Sequence, residues 1–141
     1  MEYYVGIDIG GMTIKGIVLD SKGKALCEDV AVTGSERGGD AMCDVIAELV
    51  NSMVNKCGIS KDDISIGVGC PGVIDSEHGV LVFSGNLALR DYPLAEKIKE
   101  RVGVSVKITN DANAAALGEA RFGAGRNYKN SILVTLGTGV G

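Results

Sequence analysis

Several features that would assign a protein to a membrane or to nucleic acid are missing from this sequence. It has no tryptophan, one histidine and two prolines, and no apolar run approaches the ~20 residues that a membrane span requires. Lys and Arg are not clustered and the formal net charge is −4, so a surface for nucleic acid is not expected. Glu2 stands where a signal peptide would carry positive charge. We therefore predict a cytoplasmic protein that binds neither membranes nor nucleic acid.

Cysteine is present but shows no metal-binding or disulfide pattern. The four cysteines are scattered without a Cys-x-x-Cys pair, at Cys27, Cys43, Cys57 and Cys70. This spacing is typical of reduced, mostly buried thiols. The single histidine, His78, falls in a polar, turn-like segment, which favours a solvated turn residue over a ligand.

Glycine, in contrast, is abundant, with 21 residues in 141. The glycines gather at the ends of apolar runs, at 10–11, 67–72 and 137–141. Because glycine permits positive φ and close backbone approach, these positions predict loops that contact a ligand.

Hydrophobic periodicity predicts the order βββ-α-β-α-β-α-β. Period-two runs indicate strands over 4–9, 13–20 and 26–32, joined by short glycine-bearing turns as an antiparallel meander. Helical spacing follows over 42–54, and further elements are predicted as a strand over 64–69, a helix over 93–101, a strand over 104–108, a helix over 112–122 and a strand over 131–136. The order predicts an α/β fold with a mixed five-stranded sheet flanked by helices, in which the three antiparallel strands are followed by parallel ones.

Asn110 and Asp111 lie where a predicted strand passes into a predicted helix. Ligands collect at the carboxyl ends of strands and at helix N-termini in α/β sheets. Asp111 could therefore take a proton or hold a ligand. The simpler alternative is that one of the two residues only caps the helix, because Asn and Asp are preferred N-caps.

The turn between the first two predicted strands has the composition of an anion-binding loop. Gly10 and Gly11 allow successive N–H groups to point inward, Thr13 adds a hydroxyl and Lys15 adds positive charge. Asp8 would either order the turn or face a hydrated Mg²⁺. The alternative is a plain hairpin whose glycines serve geometry alone. A second glycine turn of the same chemistry, 137–141, ends the last predicted strand.

Five segments occur in a fixed order, at 8–15, 69–72, 84–87, 110–119 and 136–141. Together they resemble the first half of sugar kinases of the repressor/ORF/kinase (ROK) family, most closely its bacterial glucokinases. The resemblance implies the actin-like ATPase (ribonuclease H-like) fold, whose two domains close over ATP and substrate. It also implies an N-terminal domain over 1–112, and a linking helix and first strand of a second domain over 113–141, so the chain is expected to be an inactive fragment.

The resemblance further implies ATP-dependent phosphorylation of a hexose 6-hydroxyl, with Mg²⁺ bridging the phosphates and Asp111 as general base. The implied sugar ligands are Gly72, Asn86, Asn110 and Asp111. The implied phosphate ligands are Asp8, Gly10, Gly11, Thr13 and Lys15 in the first motif and Gly137, Thr138 and Gly139 in the second, with Asp8 holding Mg²⁺ through water. A homo-oligomer is expected at full length, and a structural zinc only in the part that would follow residue 141. Met12 departs from the family pattern, which often has Thr there, although Thr13 follows directly.

Two other functions remain open. One is a sugar-sensing ROK transcriptional regulator, which would carry a DNA-binding helix-turn-helix before the kinase-like part; the glycine turn begins too close to Met1 to leave room for it. The other is a different actin-like ATPase, although Asn110-Asp111 before an alanine-rich helix favours the sugar kinases. The sequence does not distinguish glucose, mannose, fructose and N-acetylhexosamines as substrates.

Overall fold

The computed structural model describes residues 2–136, which form two sheets and three α-helices. The strands are β1 (Tyr3–Ile9), β2 (Thr13–Leu19), β3 (Ala25–Val32), β4 (Ile64–Cys70), β5 (Val73–Asp75), β6 (Val80–Ser84), β7 (Leu89–Tyr92) and β8 (Val106–Asn110). The helices are α1 (Gly39–Cys57), α2 (Leu94–Val102) and α3 (Asp111–Phe122), with short 3₁₀ turns at Ser35–Arg37 and Lys61–Asp63.

The main sheet has five strands in the order β3-β2-β1-β4-β8. β1 pairs with β2, and β2 with β3, in antiparallel fashion, whereas β4 runs parallel to both β1 and β8. This arrangement confirms the predicted mixed sheet. It also places the carboxyl ends of β1, β4 and β8 at one edge, because those three strands run in the same direction.

The core lies between one face of this sheet and the helices α1 and α2. Both helices bury apolar residues spaced three and four apart, including Met42, Ile46 and Met53 on α1 and Ile98 on α2. Alternate residues of the central strands face them, such as Val5, Ile7 and Ile9 in β1. Both α1 and α2 end at a glycine in the left-handed conformation, Gly58 and Gly103 respectively.

The second sheet is small, antiparallel and ordered β5-β6-β7. The sequence patterns did not predict it as a sheet, because its strands are only three to five residues long. Its β6–β7 turn, residues 85–88, lies beside the carboxyl ends of the strands of the main sheet.

α3 lies on the sheet face opposite α1 and α2, against β4 and β8. Its side chains pack loosely, and none of its residues is buried. No helix within residues 2–136 is long and apolar enough to cross a membrane.

The predicted strand over 131–136 is not formed. Residues 131–135 carry no strand and Leu136 makes an isolated bridge, although Ile132 and Val134 alternate with polar neighbours as a strand would. A strand requires a neighbour for its backbone N–H and C=O groups, and within residues 2–136 no strand pairs along this segment beyond the single bridge at Leu136.

Candidate active site

Several of the predicted site residues lie where β1, β4 and β8 end. In the register of the sheet, Asp8 pairs with Gly69 and Cys70 pairs with Asn110. Asp8 is exposed. Ligands of open α/β sheets bind at such carboxyl edges, so the fold places these residues where a substrate can reach them.

Asp111 is the first residue of α3 and is half-buried. Its Oδ1 accepts a hydrogen bond from the amide of Ala112 at 2.9 Å. α3 passes directly over Gly69, where an added Cβ would lie 3.4 Å from the Asp111 Cα. Because Gly69 also pairs with Asp8, the two carboxylates belong to one cluster.

Cys70 is the buried neighbour of this cluster. Burial, followed by the negative charge of Asp111, raises the pKa of the Cys70 thiol to about 12. The thiol is therefore uncharged at neutral pH. A buried, uncharged thiol is a poor nucleophile, so Cys70 is part of the core next to the site and not a reacting group.

Asn110 caps α3, as predicted for one of the two residues at this junction. Its Oδ1 accepts from the amide of Asn113 at 3.2 Å, and its Nδ2 donates to the carbonyl of Gly72 at 3.0 Å. Each end of the amide retains further capacity, since an amide has two donor hydrogens and two acceptor lone pairs. Asn110 therefore joins the helix to the β4–β5 turn and can still contact a ligand.

Gly72 allows the β4–β5 turn to approach the second sheet. Its φ is 115°, and an added Cβ would lie 2.2 Å from the carbonyl oxygen of Phe83. Phe83 belongs to β6, which leads into the β6–β7 turn. At the end of β6, the hydroxyl of buried Ser84 accepts a hydrogen bond from the amide of Leu87 at 3.3 Å. The predicted sugar positions Gly72 and Asn86 are thus carried by adjoining turns.

The Gly10–Gly11 turn lies beside Asn86. An added Cβ on Gly11 would lie 4.0 Å from the Asn86 Cβ, and the Gly10 amide donates to the carbonyl of Thr13 at 2.9 Å. Lys15 pairs with Asp8 across β1 and β2, and it is exposed. The first predicted phosphate motif therefore occupies a single hairpin next to the predicted sugar turns.

Thr33 supports this turn and was missed by sequence reasoning. It is fully buried, its Oγ1 donates to the Gly10 carbonyl at 2.7 Å, and its amide donates to the Met12 carbonyl at 2.9 Å. Val32, the residue before it, pairs with Thr13. No local sequence pattern marks Thr33, because only this register places the residue that follows β3 against the β1–β2 turn.

The second predicted phosphate motif, with Gly137, Thr138 and Gly139, lies outside the described residues, so that assignment stays a prediction. Residues 2–136 bring together no group of three or more His, Cys, Asp or Glu side chains that could hold a metal.

Comparison with known proteins identifies the family of the chain. The ROK family profile matches residues 4–141. The chain belongs to the ROK family. This confirms the resemblance drawn from the five ordered segments.

Both kinases and regulators of the ROK family are similar to the chain. The glucokinase of Halalkalibacterium halodurans is 41% identical over 141 residues, which cover 99% of this chain and 43% of that protein. The xylose repressor of Bacillus subtilis is 36% identical over 140 residues, covering 99% of this chain and 36% of the repressor. The chain therefore spans less than half the length of these relatives.

A solved ROK structure has the same architecture. The crystal structure of a ROK family glucokinase from Streptomyces griseus in complex with glucose and AMPPNP matches with a TM-score of 0.81 and 37% identity, covering 99% of this chain and 43% of that one. The expected actin-like ATPase fold is thereby confirmed.

Proposed function

We propose that this chain is part of an ATP-dependent hexose kinase in which Asp111 is the general base. The observation that carries the proposal is the position of Asp111, which begins α3 at the carboxyl end of β8, beside Asn110, whose amide donates to the Gly72 carbonyl in the β4–β5 turn. The similarity to glucokinases supports it.

The chemistry of the reaction requires such a carboxylate. A sugar hydroxyl is a poor nucleophile, so a base within hydrogen-bond reach must take its proton as the γ-phosphoryl group arrives. Asp111 engages its Oδ1 with the Ala112 amide, which fixes the carboxylate and leaves Oδ2 to accept the proton of the 6-hydroxyl. We assign the sugar hydroxyl contacts to Asn110, Asn86 and the backbone of Gly72.

The Gly10–Gly11 turn suits the phosphates of ATP. Within residues 2–136, the amides of Gly11 and Met12 make no hydrogen bond to the protein, so both can donate to an anion. Lys15 adds positive charge on the adjoining strand, and the exposed carboxylate of Asp8 suits a hydrated Mg²⁺. When bound, Mg²⁺ would neutralise charge on the phosphates. Gly137, Thr138 and Gly139 complete the proposed nucleotide site.

The decisive test is Asp111→Asn in the full-length gene product, with hexose-dependent ADP release as the measurement. The substitution keeps the size of the side chain and removes its basicity. We expect turnover to fall by about 10²–10⁴-fold, with the hexose Kd little changed. The matched control is Asp62→Asn, an exposed aspartate in the Lys61–Asp63 turn, which should leave turnover unchanged. Near-wild-type turnover in Asp111→Asn would show that another group is the base.

The substrate is assigned here only to the hexose class. Glucose is our first candidate because of the glucokinase relatives. The same assay run with mannose, fructose, N-acetylglucosamine and N-acetylmannosamine ranks the alternatives by kcat/KM. A clear preference for an N-acetylhexosamine would replace glucose while leaving the kinase assignment intact.

A sugar-sensing regulator is the second candidate, because xylose repressors match nearly the whole chain. A regulator of this kind would bind sugar without turning over ATP. Saturable sugar binding by calorimetry, together with no hexose-dependent ADP release, would therefore favour the regulator over the kinase.

A further inference from the structure

Two of the four cysteines lie against each other on the far side of the fold from the candidate active site. Cys27 is on β3 and Cys57 is the last residue of α1. The Cys57 thiol donates to the Cys27 sulfur at 3.1 Å, and the Cys27 thiol donates to the carbonyl of Met53 at 3.7 Å. An S–S bond of about 2.0 Å therefore requires the two sulfur atoms to approach by only about 1 Å.

This pair also differs from the other cysteines in accessibility. Cys27 and Cys57 are half-buried, whereas Cys43 and Cys70 are fully buried. All four are free thiols in the structure, as the sequence predicted, although only the second pair is buried. A small oxidant can therefore reach Cys27 and Cys57 without unfolding the core.

β3 and α1, which carry the two cysteines, are already joined by an ion pair close to them. Lys56, one residue before Cys57, donates at 2.5 Å to the carboxylate of Asp29, two residues after Cys27. β3 is an edge strand that pairs with β2 alone in the sheet. A disulfide between Cys27 and Cys57 would therefore join the edge strand β3 covalently to the C-terminal end of α1, which packs against it.

We propose that Cys27 and Cys57 form a reversible disulfide when the protein meets a low-molecular-weight disulfide such as oxidised glutathione. The thiolate of one cysteine attacks a sulfur of the oxidant, which gives a mixed disulfide and releases one small thiolate. The second cysteine loses its proton to solvent and attacks the protein sulfur of the mixed disulfide, releasing the second small thiolate. Two protein thiols become one disulfide, and the oxidant is reduced to two thiols.

The pKa of the Cys27 thiol determines how the reaction depends on pH. Burial, followed by the hydrogen bond and charge of Cys57, raises the pKa of Cys27 to about 11; Lys56 opposes this shift and Asp29 adds to it. Because the thiolate is the nucleophile, oxidation is expected to be slow near pH 7 and faster near pH 9. This inference does not depend on the proposed kinase function.

The test is a peptide map of the folded protein after incubation with oxidised glutathione, alkylation of the remaining thiols and tryptic digestion. Lys24, Arg37, Lys56 and Lys61 bound the relevant peptides, so Cys27 falls in 25–37, Cys57 in 57–61 and Cys43 in 38–56. We expect peptides 25–37 and 57–61 to be joined, to separate on reduction, and to form faster at pH 9 than at pH 7. The oxidised protein should also unfold at a higher temperature than the reduced one.

Two variants provide the controls. Cys27→Ser and Cys57→Ser keep the size of the side chain, and each should abolish the joined peptide and the rise in Tm. The proposal is overturned if the folded wild-type protein yields only mixed disulfides with glutathione, a linkage to Cys43 or Cys70, or no modification. The wild-type map alone decides this, so the result does not depend on the stability of the variants.

Discussion

Thr33 holds the Gly10–Gly11 turn through both its side chain and its backbone amide. We expect Thr33→Val to lower the free energy of unfolding by about 1 kcal/mol, because the buried hydroxyl that donates to the Gly10 carbonyl is lost while the volume is kept. In the full-length protein the KM for ATP should rise, since the turn loses its side-chain hydrogen bond and is held by backbone bonds alone. Urea denaturation and steady-state kinetics measure the two effects.

The matched control for this prediction is Thr33→Ser, which keeps the hydroxyl and removes only a methyl group. The serine variant should have the same KM for ATP as the wild-type protein. If the valine and serine variants raise that KM equally, the hydrogen bond to Gly10 has no part in nucleotide binding.

Among individual residues, the sequence identified the side chains that can react with or bind a ligand. It missed the side chains that hold the surrounding turns in place. Asn110 and Asp111 were predicted because an amide and a carboxylate follow an apolar strand. Thr33 was not, because its importance comes from a long-range contact to the carbonyl of Gly10. A residue that acts through the backbone of a distant turn leaves no local pattern.

Among the secondary-structure elements, α3 is the one whose start coincides with the site. Asn110→Ala removes both the cap and the contact to Gly72, whereas Asn110→Ser keeps a capping oxygen but is too short to reach Gly72. We expect the alanine variant to be about 1 kcal/mol less stable than the serine variant. Chemical denaturation of the two proteins gives this difference directly.

The kinetics of the same variants separate capping from positioning. In the full-length protein both should raise the hexose KM, because both lose the bond that holds the β4–β5 turn. If Asn110→Ser instead keeps the wild-type KM, the contact to Gly72 does not position the sugar, and Asn110 is a cap alone.

Elements were predictable to the extent that local periodicity defines them. The apolar stripe of α1 and the alternation of β1 each stand out in sequence, and both elements form as predicted. The β5-β6-β7 sheet was missed because its strands are too short for a period to emerge. The segment 131–136 shows the converse failure, since its alternation is that of a strand but strand formation also requires a pairing partner.

For the molecule as a whole, the unequal burial of its helices is the informative feature. α1 buries one continuous apolar face, whereas α3 buries no residue and leaves Leu117 and Phe122 exposed by 59% and 76%. Further exposed apolar residues follow in the next segment, namely Tyr128, Ile132, Val134 and Leu136. The relatives extend well beyond the region that this chain matches. We therefore propose that residues 1–112 form one domain and that 113–141 belong with the remainder of a full-length protein.

Hydrogen exchange can test this division. In the 141-residue chain alone, we expect the amides of α3 to exchange rapidly, because little buried surface opposes their opening. In the full-length protein the same amides should exchange more than about tenfold more slowly, since a second domain would cover the helix. α1 serves as the internal reference and should be protected in both forms, because its apolar face is buried within residues 2–136. Equal exchange of α3 in the two proteins would contradict the proposed boundary, because it would mean that nothing beyond residue 141 packs on this helix.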